Sequence, residues 1–244
     1  MRRFFVTPEA VQNDTVVFDA ELARHMGKVL RLTSGEQVTV STGDGTAYMV
    51  TLEEFGKDYV TGRIIEKMDN LQESSMEVVL YQGMPKGDKL ELIIQKCTEL
   101  GVSQVIPVET SRSVVHLDGN KAGKKLERWQ KIAASAAEQS GRGRVPQVVV
   151  LGSYKEALSR AVNAHKAILF YENERAATLR MALEEKPFET ISLLTGPEGG
   201  LELSEVEQAK NAGFDICTLG SRILRCETAP LCALSAVMYA AGEF

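Results

Sequence analysis

The sequence predicts an α/β protein in two parts, a small β-rich domain followed by a larger domain of alternating strands and helices. Three observations carry that reading. Short strand-like runs crowd residues 1–72, with one helix-like stretch among them. Strand and helix patterns alternate over residues 73–244, which implies a parallel sheet with helices on both faces. A polar stretch between them, Asn70–Ser75 (NLQESS), reads as a linker.

In the first part, RRFFV, TVVFD, QVTVST, AYMVTLEEF and YVTGRIIEKM are strand-like. Asp44-Gly45, inside STGDGTAY, is a hairpin signal. DAELARHMGKVLRL predicts the helix. Leu22, Met26, Val29 and Leu30 recur at helical spacing, and Arg24, Lys28 and Arg31 lie off that stripe. Many short strands with one helix predict a small barrel.

In the second part, MEVVLYQG is a strand and GDKLELIIQKCTELG a helix, its apolar Leu90, Ile93, Ile94, Cys97 and Leu100 repeating at three and four. Asp88 and Glu91 have the spacing of an N-terminal cap, and Gly101 suits the C-terminal one. VSQVIPV is the next strand, followed by a long basic helix over Lys121–Ser140. PQVVVL, KAILFYE, TISLLTG and FDICTLG are strands; SYKEALSRAV, RAATLRMALEE, LSEVEQAKNAG and TAPLCALSAVMYAAG are the helices between and after them. Ser204 and Glu207 form an S-x-x-E pattern that starts the third of these near Leu203–Glu205.

Composition narrows the function. The chain has 244 residues, is 44% hydrophobic and 25% charged, and carries a net charge of −5. It contains no apolar run long enough for a membrane span. MRRFFVTPEA has no long apolar stretch after its arginines, so no signal peptide is expected. Cys97, Cys217, Cys226 and Cys232 form no C-x-x-C pair and the histidines number 3. Neither a zinc site nor a disulfide framework is therefore expected, and buried reduced thiols in a cytoplasmic protein are. His25 and His116 are lone histidines, which are more often structural than catalytic, and neither reads as a base. Trp129 sits with Leu126 and Ile132 in the basic helix and reads as packing. The charge is uneven: Arg112 to Arg144 holds eight Lys/Arg (112, 121, 124, 125, 128, 131, 142, 144) against Asp118, Glu127 and Glu138. Such a stretch can hold a polyanion, or be only a solvated helix face.

Ligands of open parallel sheets bind outside the carboxyl ends of the strands. Three such ends are chemically unusual: LFYE (Leu169–Glu172), TGPEGG (Thr195–Gly200) and LGSRILRCET (Leu219–Thr228). The glycine-rich one resembles a phosphate loop only superficially. Its glycines lie upstream of the helix start, Glu198 has the wrong sign, and no Lys-Ser/Thr follows. A neutral or cationic ligand gripped by main-chain groups fits better, with a plain strand-to-helix turn as the alternative. Arg222, Arg225 and Glu227 in the other loop favour a ligand, although Arg225 and Glu227 can also be a surface pair.

TGPEGGLELSEVE followed by LGSRILRCETAPLCALS is similar to the SPOUT class of S-adenosylmethionine-dependent methyltransferases, and most closely resembles the ribosomal RNA small subunit methyltransferase E family. HMGKVLRL, PKGDKLELIIQKCTELGVSQVIPVETSRSVV and RWQKIAASAAEQSGRGRVPQV extend the resemblance in order over nearly the whole chain. Cys226 is a small departure from the family pattern. The resemblance implies a PUA-like RNA-binding β-barrel over residues 1–72 and a SPOUT domain with a trefoil knot over 73–244. It also implies a homodimer with the active site at its interface, and methylation of uridine N3 in 16S rRNA of the small subunit. No metal is required.

On that reading the cofactor cradle is built from Leu169, Phe170, Tyr171 and Glu172, from Thr195, Gly196, Pro197, Glu198, Gly199 and Gly200, and from Leu219, Gly220, Ile223, Leu224, Arg225 and Thr228. Uridine N3 must lose a proton, so a cation beside the base would stabilise the anion. Arg142, Arg144 and Arg225 are candidates, with Glu138 and Glu227 as bases or arginine orienters. Phosphate binding is the competing role for Arg142 and Arg144. Arg2, Arg3, Arg24, Lys28 and Arg31 join Arg112, Arg142 and Arg144 as expected RNA contacts. Three rivals remain at this point: a nucleotide-binding or phosphate-transferring enzyme, a non-catalytic RNA-binding protein, and a SPOUT enzyme with another target such as a ribose 2′-OH or a tRNA base.

Overall fold

A computed structural model describes residues 2–69, 73–114, 119–151, 153–184 and 188–244, with the side chains of 69 and 119–121 also outside the description. His116, Asp118, the Lys121 side chain and residues 70–72 of the expected linker therefore lie outside the described residues. The chain divides into two compact units, Met1–Glu73 with Ala137–Val145, and Ser74–Ala136 with Pro146–Phe244.

The first unit is a six-stranded sheet ordered β1-β4-β5-β6-β3-β2, built from β1 (Arg3–Phe5), β2 (Val11–Gln12), β3 (Thr15–Phe18), β4 (Gln37–Ser41), β5 (Thr46–Phe55) and β6 (Val60–Asp69). β1 and β4 run parallel and every other neighbour antiparallel. The β4–β5 hairpin turns where Asp44-Gly45 predicts it. The Asp44 carboxylate accepts from Thr42 Oγ1 at 2.7 Å and from the Thr46 amide at 2.8 Å. Phe4, Val16, Phe18, Met26, Val38, Val40, Val50 and Leu52 form the core. Each large apolar side chain so buried contributes about 1.5–3 kcal/mol.

Helix α1 (Ala20–Arg24) is capped by Asp19, which accepts from the Leu22 amide at 2.9 Å. Over His25–Val29 it opens into a wider turn, closed by the Leu30 amide on the His25 carbonyl five residues back. That extra residue per turn rotates the sequence out of phase. Met26 stays fully buried, but Val29, expected on the apolar stripe, is 66% exposed. Arg31, at φ 55°, ends the segment.

The second unit is an all-parallel sheet ordered β12-β10-β11-β7-β8-β9. Its strands are β7 (Glu77–Gly83), β8 (Gln104–Val108), β9 (Gln147–Val148), β10 (Lys166–Phe170), β11 (Thr190–Thr195) and β12 (Asp215–Cys217). Its helices are α2 (Lys89–Glu99), α3 (Gly119–Ser140, whose last turn counts with the first unit), α4 (Tyr154–Ala161), α5 (Leu179–Ala182), α6 (Leu203–Ala212) and α7 (Ala229–Ala241). One face of the sheet packs Tyr81, Ile106, Leu169 and Leu194 against Ala157, Leu158 and Ala161 of α4 and Val206 and Ala209 of α6. On the sheet's centre, α7 packs against β7, β11 and α2. Trp129 of α3 is buried, as its apolar neighbours predict.

Four local expectations are corrected. Asp88 precedes α2 but its side chain makes no capping hydrogen bond, and Glu91 instead pairs with Arg128 at 2.7 Å. The cap of α6 is Glu202, whose amide is accepted by Glu205 at 2.9 Å, so the pattern sits two residues before Ser204 and Glu207. The cause is burial: Glu205 also accepts the Ser111 amide at 2.8 Å, which ties it inward. The RAATLRMALEE helix shrinks to α5 because the Glu174 carboxylate accepts the amides of Arg175, Ala176 and Ala177, turning that stretch out of helical geometry. Cys232 is exposed on α7 rather than buried; Cys97, Cys217 and Cys226 are buried thiols. Gly101 acts as foreseen: at φ 95° it and Val102 return their amides to Thr98 and Cys97, closing α2.

Candidate functional site

β12, β10 and β11 are neighbours in the sheet and run parallel, so their carboxyl ends lie side by side. The three loops that leave those ends enclose a cavity of ≈ 490 Å³, inside the range of about 300–1,000 Å³ usual for small-molecule sites. A second cavity, of ≈ 710 Å³, runs along β12 between α5 and α6 and shares Tyr171 with the first. Only the first gathers all three chemically unusual strand ends.

From the first strand end, Phe170, Tyr171 and Glu172 line the cavity; Leu169 does not, being 0% exposed in the core. From the second, Thr195, Gly196, Pro197, Glu198, Gly199 and Gly200 all do. From the third, Leu219, Gly220, Ile223, Leu224 and Arg225 do, whereas Thr228 only precedes α7. Lys89, Arg175, Leu201, Thr218, Arg222, Cys226 and Ala229 complete the wall. Lys89 lies in the first turn of α2, more than a hundred residues before Glu198, so no local pattern could have flagged it.

Buried polar groups fix the glycine-rich loop. Gln82, at the end of β7, accepts from Thr195 Oγ1 at 2.7 Å and donates to the Gly196 carbonyl at 3.1 Å. Gly200 adopts φ 69°, and a Cβ there would lie 2.6 Å from Glu172 Oε1. Arg112 donates to Glu202 at 2.7 Å and to the Gly199 carbonyl at 2.7 Å, so this expected RNA contact braces the loop. Thr218 Oγ1 donates to the Gly220 carbonyl at 3.0 Å and so shapes the third loop.

Glu198 accepts from Lys89 Nζ at 2.8 Å and from the Lys86 amide. Burial works to raise its carboxyl, but the Lys89 and Lys86 hydrogen bonds outweigh it and hold the group below the ordinary range. Glu227 lies 3.6 Å from Lys89 and 3.9 Å from Arg225, whose own side chain is 86% exposed. Burial and the Glu227 hydrogen bond push the Cys226 thiol up to about 12, so it is no nucleophile at neutral pH.

The other expected catalytic residues belong to the first unit. Arg142 is 6% exposed and donates to Glu73 from Nε at 3.3 Å and Nη2 at 2.8 Å. Glu73 also accepts the Gly143 and Arg144 amides at 2.8 and 3.0 Å. Arg144 is exposed and bridges to Gly43 and Asp44 on the hairpin. Arg24, Lys28 and Arg31 are exposed; Arg2 is exposed and donates to the Leu30 carbonyl at 3.1 Å, and Arg3 is partly buried.

Glu138 is raised by burial, against the Phe5 backbone hydrogen bond and the His25 charge. A raised carboxyl keeps its proton in the folded chain at a pH where the unfolded chain, at about 4.3, has lost it. Stability should therefore fall as pH rises from the unfolded value through the folded one. Glu138→Gln should remove that slope and be more stable than the parent above it. Urea unfolding at a series of pH values checks this, and an unchanged slope would contradict it.

Comparison with known proteins gives the family of the chain. An RNA methyltransferase domain model matches residues 72–238, and an RNA methyltransferase PUA domain model matches residues 18–65. The chain is 40% identical to the ribosomal RNA small subunit methyltransferase E of Bacillus subtilis, over 98% of this chain and 96% of that one. A crystal structure of the Neisseria gonorrhoeae ribosomal RNA small subunit methyltransferase E bound to S-adenosyl methionine has 36% identity and a TM-score of 0.87, covering 98% of this chain and 97% of that one. A Legionella pneumophila protein in complex with the cofactor SAM has 31% identity and a TM-score of 0.88 over the same shares of the two chains.

Proposed function

The chain belongs to the ribosomal RNA small subunit methyltransferase E family, and on that premise we propose that it transfers a methyl group from S-adenosylmethionine to N3 of a uridine in 16S ribosomal RNA. The observation that carries the reading is the cradle of three strand-end loops around the ≈ 490 Å³ cavity. Its residues fit the cofactor. Leu201, Ile223 and Leu224 give apolar walls for a flat base, glycine-rich main chain gives edge donors and acceptors, and Glu172 suits a positive centre. S-adenosylmethionine, when bound, supplies a methyl on a sulfonium, which needs no metal.

The chain's part is positioning and charge. Arg225, at the cavity and extended into solvent, is the cation best placed to meet the carbonyl oxygens of an incoming base. Glu227 orients it. Arg142, committed to Glu73, braces its loop, and exposed Arg144 takes the phosphate-contacting role with Arg24, Lys28 and Arg31. The first unit serves as the PUA-like RNA-binding domain and the second as the methyltransferase, in the cytoplasm where ribosomal RNA is made.

We also propose a homodimer. Helix α7 is apolar on both faces: it buries Ala233, Leu234, Val237 and Met238 while Tyr239 is 74% exposed and Cys232 is exposed beside it. A helix apolar all round is made to be covered on all sides. Tyr239→Glu should weaken self-association about tenfold or more by placing a charge in an apolar contact, as sedimentation velocity would report. A monomeric parent, or an unaltered dimer in the variant, would rule out this face.

The function itself is tested by titrating the chain with S-adenosylhomocysteine and with ATP, then mapping methylated uridines in 16S rRNA from a strain lacking the gene. Binding of the first ligand alone, and loss of one N3-methyluridine, are expected. ATP binding would favour a phosphate-transferring enzyme, and an intact uridine map would overturn the substrate.

A further inference from the structure

One ammonium joins three distant stretches of the second unit. Lys89 Nζ, in the first turn of α2, lies 2.8 Å from Glu198 Oε1 in the glycine-rich loop and 3.6 Å from Glu227 Oε2 in the loop after β12. Cys226 Sγ is 3.8 Å from the same nitrogen and donates to Glu227 Oε2 at 3.2 Å. Glu198 in turn accepts the Lys86 amide at 3.1 and 3.2 Å, which ties the approach to α2 into the cluster. Arg225 Nη1 reaches Glu227 Oε1 at 3.9 Å. Lys89 and Glu198 both line the cavity.

We infer that Lys89 is a positioning residue for the cofactor, its ammonium locking the Glu198 loop to the Glu227 loop and so fixing two walls of the cradle. The inference rests on the cavity being the S-adenosylmethionine site. Two carboxylates converge on this lysine, and without it they face each other, with the solvent-exposed Arg225 beside one of them. Like charges so placed drive their segments apart unless one takes up a proton. The hydrogen bond to Glu198 holds the ammonium charged above its ordinary range, and Glu227 is held low by its own backbone and by Cys226. All three groups are therefore ionised at neutral pH, which is the state in which the lock is closed.

The test is calorimetric titration of the full chain with S-adenosylhomocysteine. Lys89→Met should weaken binding about tenfold near neutral pH, and Lys89→Arg should restore most of it. Two further readouts separate a charge lock from lost aliphatic packing. Lys89→Met combined with Glu198→Gln should bind more tightly than Lys89→Met alone, because the repulsion is gone. Lys89→Met should also gain affinity as pH falls toward the carboxylate range, a proton replacing the ammonium, while the parent changes little. Lys96→Met, on the same helix and paired among the described residues with Glu99, is the control and should bind as the parent does. Binding by Lys89→Met within twofold of the parent, or a double variant weaker than the single one, overturns the proposal. If Lys89→Met does not fold, the Glu198→Gln chain decides: affinity equal to that of the parent sinks the lock. A parent chain that binds no S-adenosylhomocysteine overturns the cofactor reading as well, and so is told apart from failure of the lysine alone.

Discussion

Replacing Glu73 by alanine is expected to destabilise the first unit by about 3 kcal/mol, the lower end of the cost of breaking a buried ion pair. The side chains of Glu73 and Arg142 are only 14% and 7% exposed. One carboxylate there satisfies the Arg142 guanidinium twice and the amides of Gly143 and Arg144 once each. Without it a buried guanidinium loses both of its hydrogen bonds to this carboxylate, and the two amides lose this acceptor. The loop they hold is the one that Ser41 Oγ grips through the Gly143 carbonyl at 2.8 Å. Hydrogen exchange at Gly143 and Arg144 should therefore quicken in the variant, alongside a lower urea midpoint. Glu73→Leu with Arg142→Met should recover most of the loss, since removing both charges also removes the desolvation each one suffers. A single variant as stable as the parent would mean that solvent reaches the pair.

That pair shows where sequence reading reaches its limit. Glu73 sits in NLQESS, a polar stretch that reads as a linker, and its partner lies 69 residues away. Local pattern carries no trace of such a contact. Lys89 is equally hidden, because the helix periodicity of α2 accounts for Leu90, Ile93, Ile94 and Cys97 and leaves a lysine at the start as one more polar residue. Arg112 reads as part of a basic stretch, and its pairing with Glu202 and the Gly199 carbonyl is equally beyond local pattern. What was legible is what local chemistry decides: the Asp44-Gly45 turn, the Gly101 stop, and the alternation that places three polar loops at the carboxyl ends of adjacent parallel strands. Val29 fell between these cases. Its spacing was helical, but the turn it occupies is wider than an α-helix, and spacing alone does not report that.

Gly83→Ala should weaken cofactor binding more than a methyl added at any other described glycine of the second unit. Gly83 ends β7, and a Cβ there would lie 2.6 Å from Pro197 Cδ, 2.7 Å from Pro197 N and 2.9 Å from Gly196 C. Two of those three atoms are backbone, so no rotamer change relieves the clash. Nor can the turn slide freely, because Gln82 holds the Gly196 carbonyl and the Gly200 amide closes on the Pro197 carbonyl at 3.0 Å. Overpacking of this kind costs about 1–3 kcal/mol of stability. It also displaces the loop that carries Glu198, and misplacement by about an ångström can cost on the order of a hundredfold in function. Gly200→Ala supplies the contrast. Its left-handed φ costs about 1–2 kcal/mol, but the atom its Cβ would meet is the end of the Glu172 side chain, which can rotate aside. Affinity for S-adenosylhomocysteine should therefore fall much further in Gly83→Ala than in Gly200→Ala, even where the two unfold at similar urea concentrations. Parent-like binding by a folded Gly83→Ala chain would mean that the Gly-Pro turn is not a wall of the cofactor site.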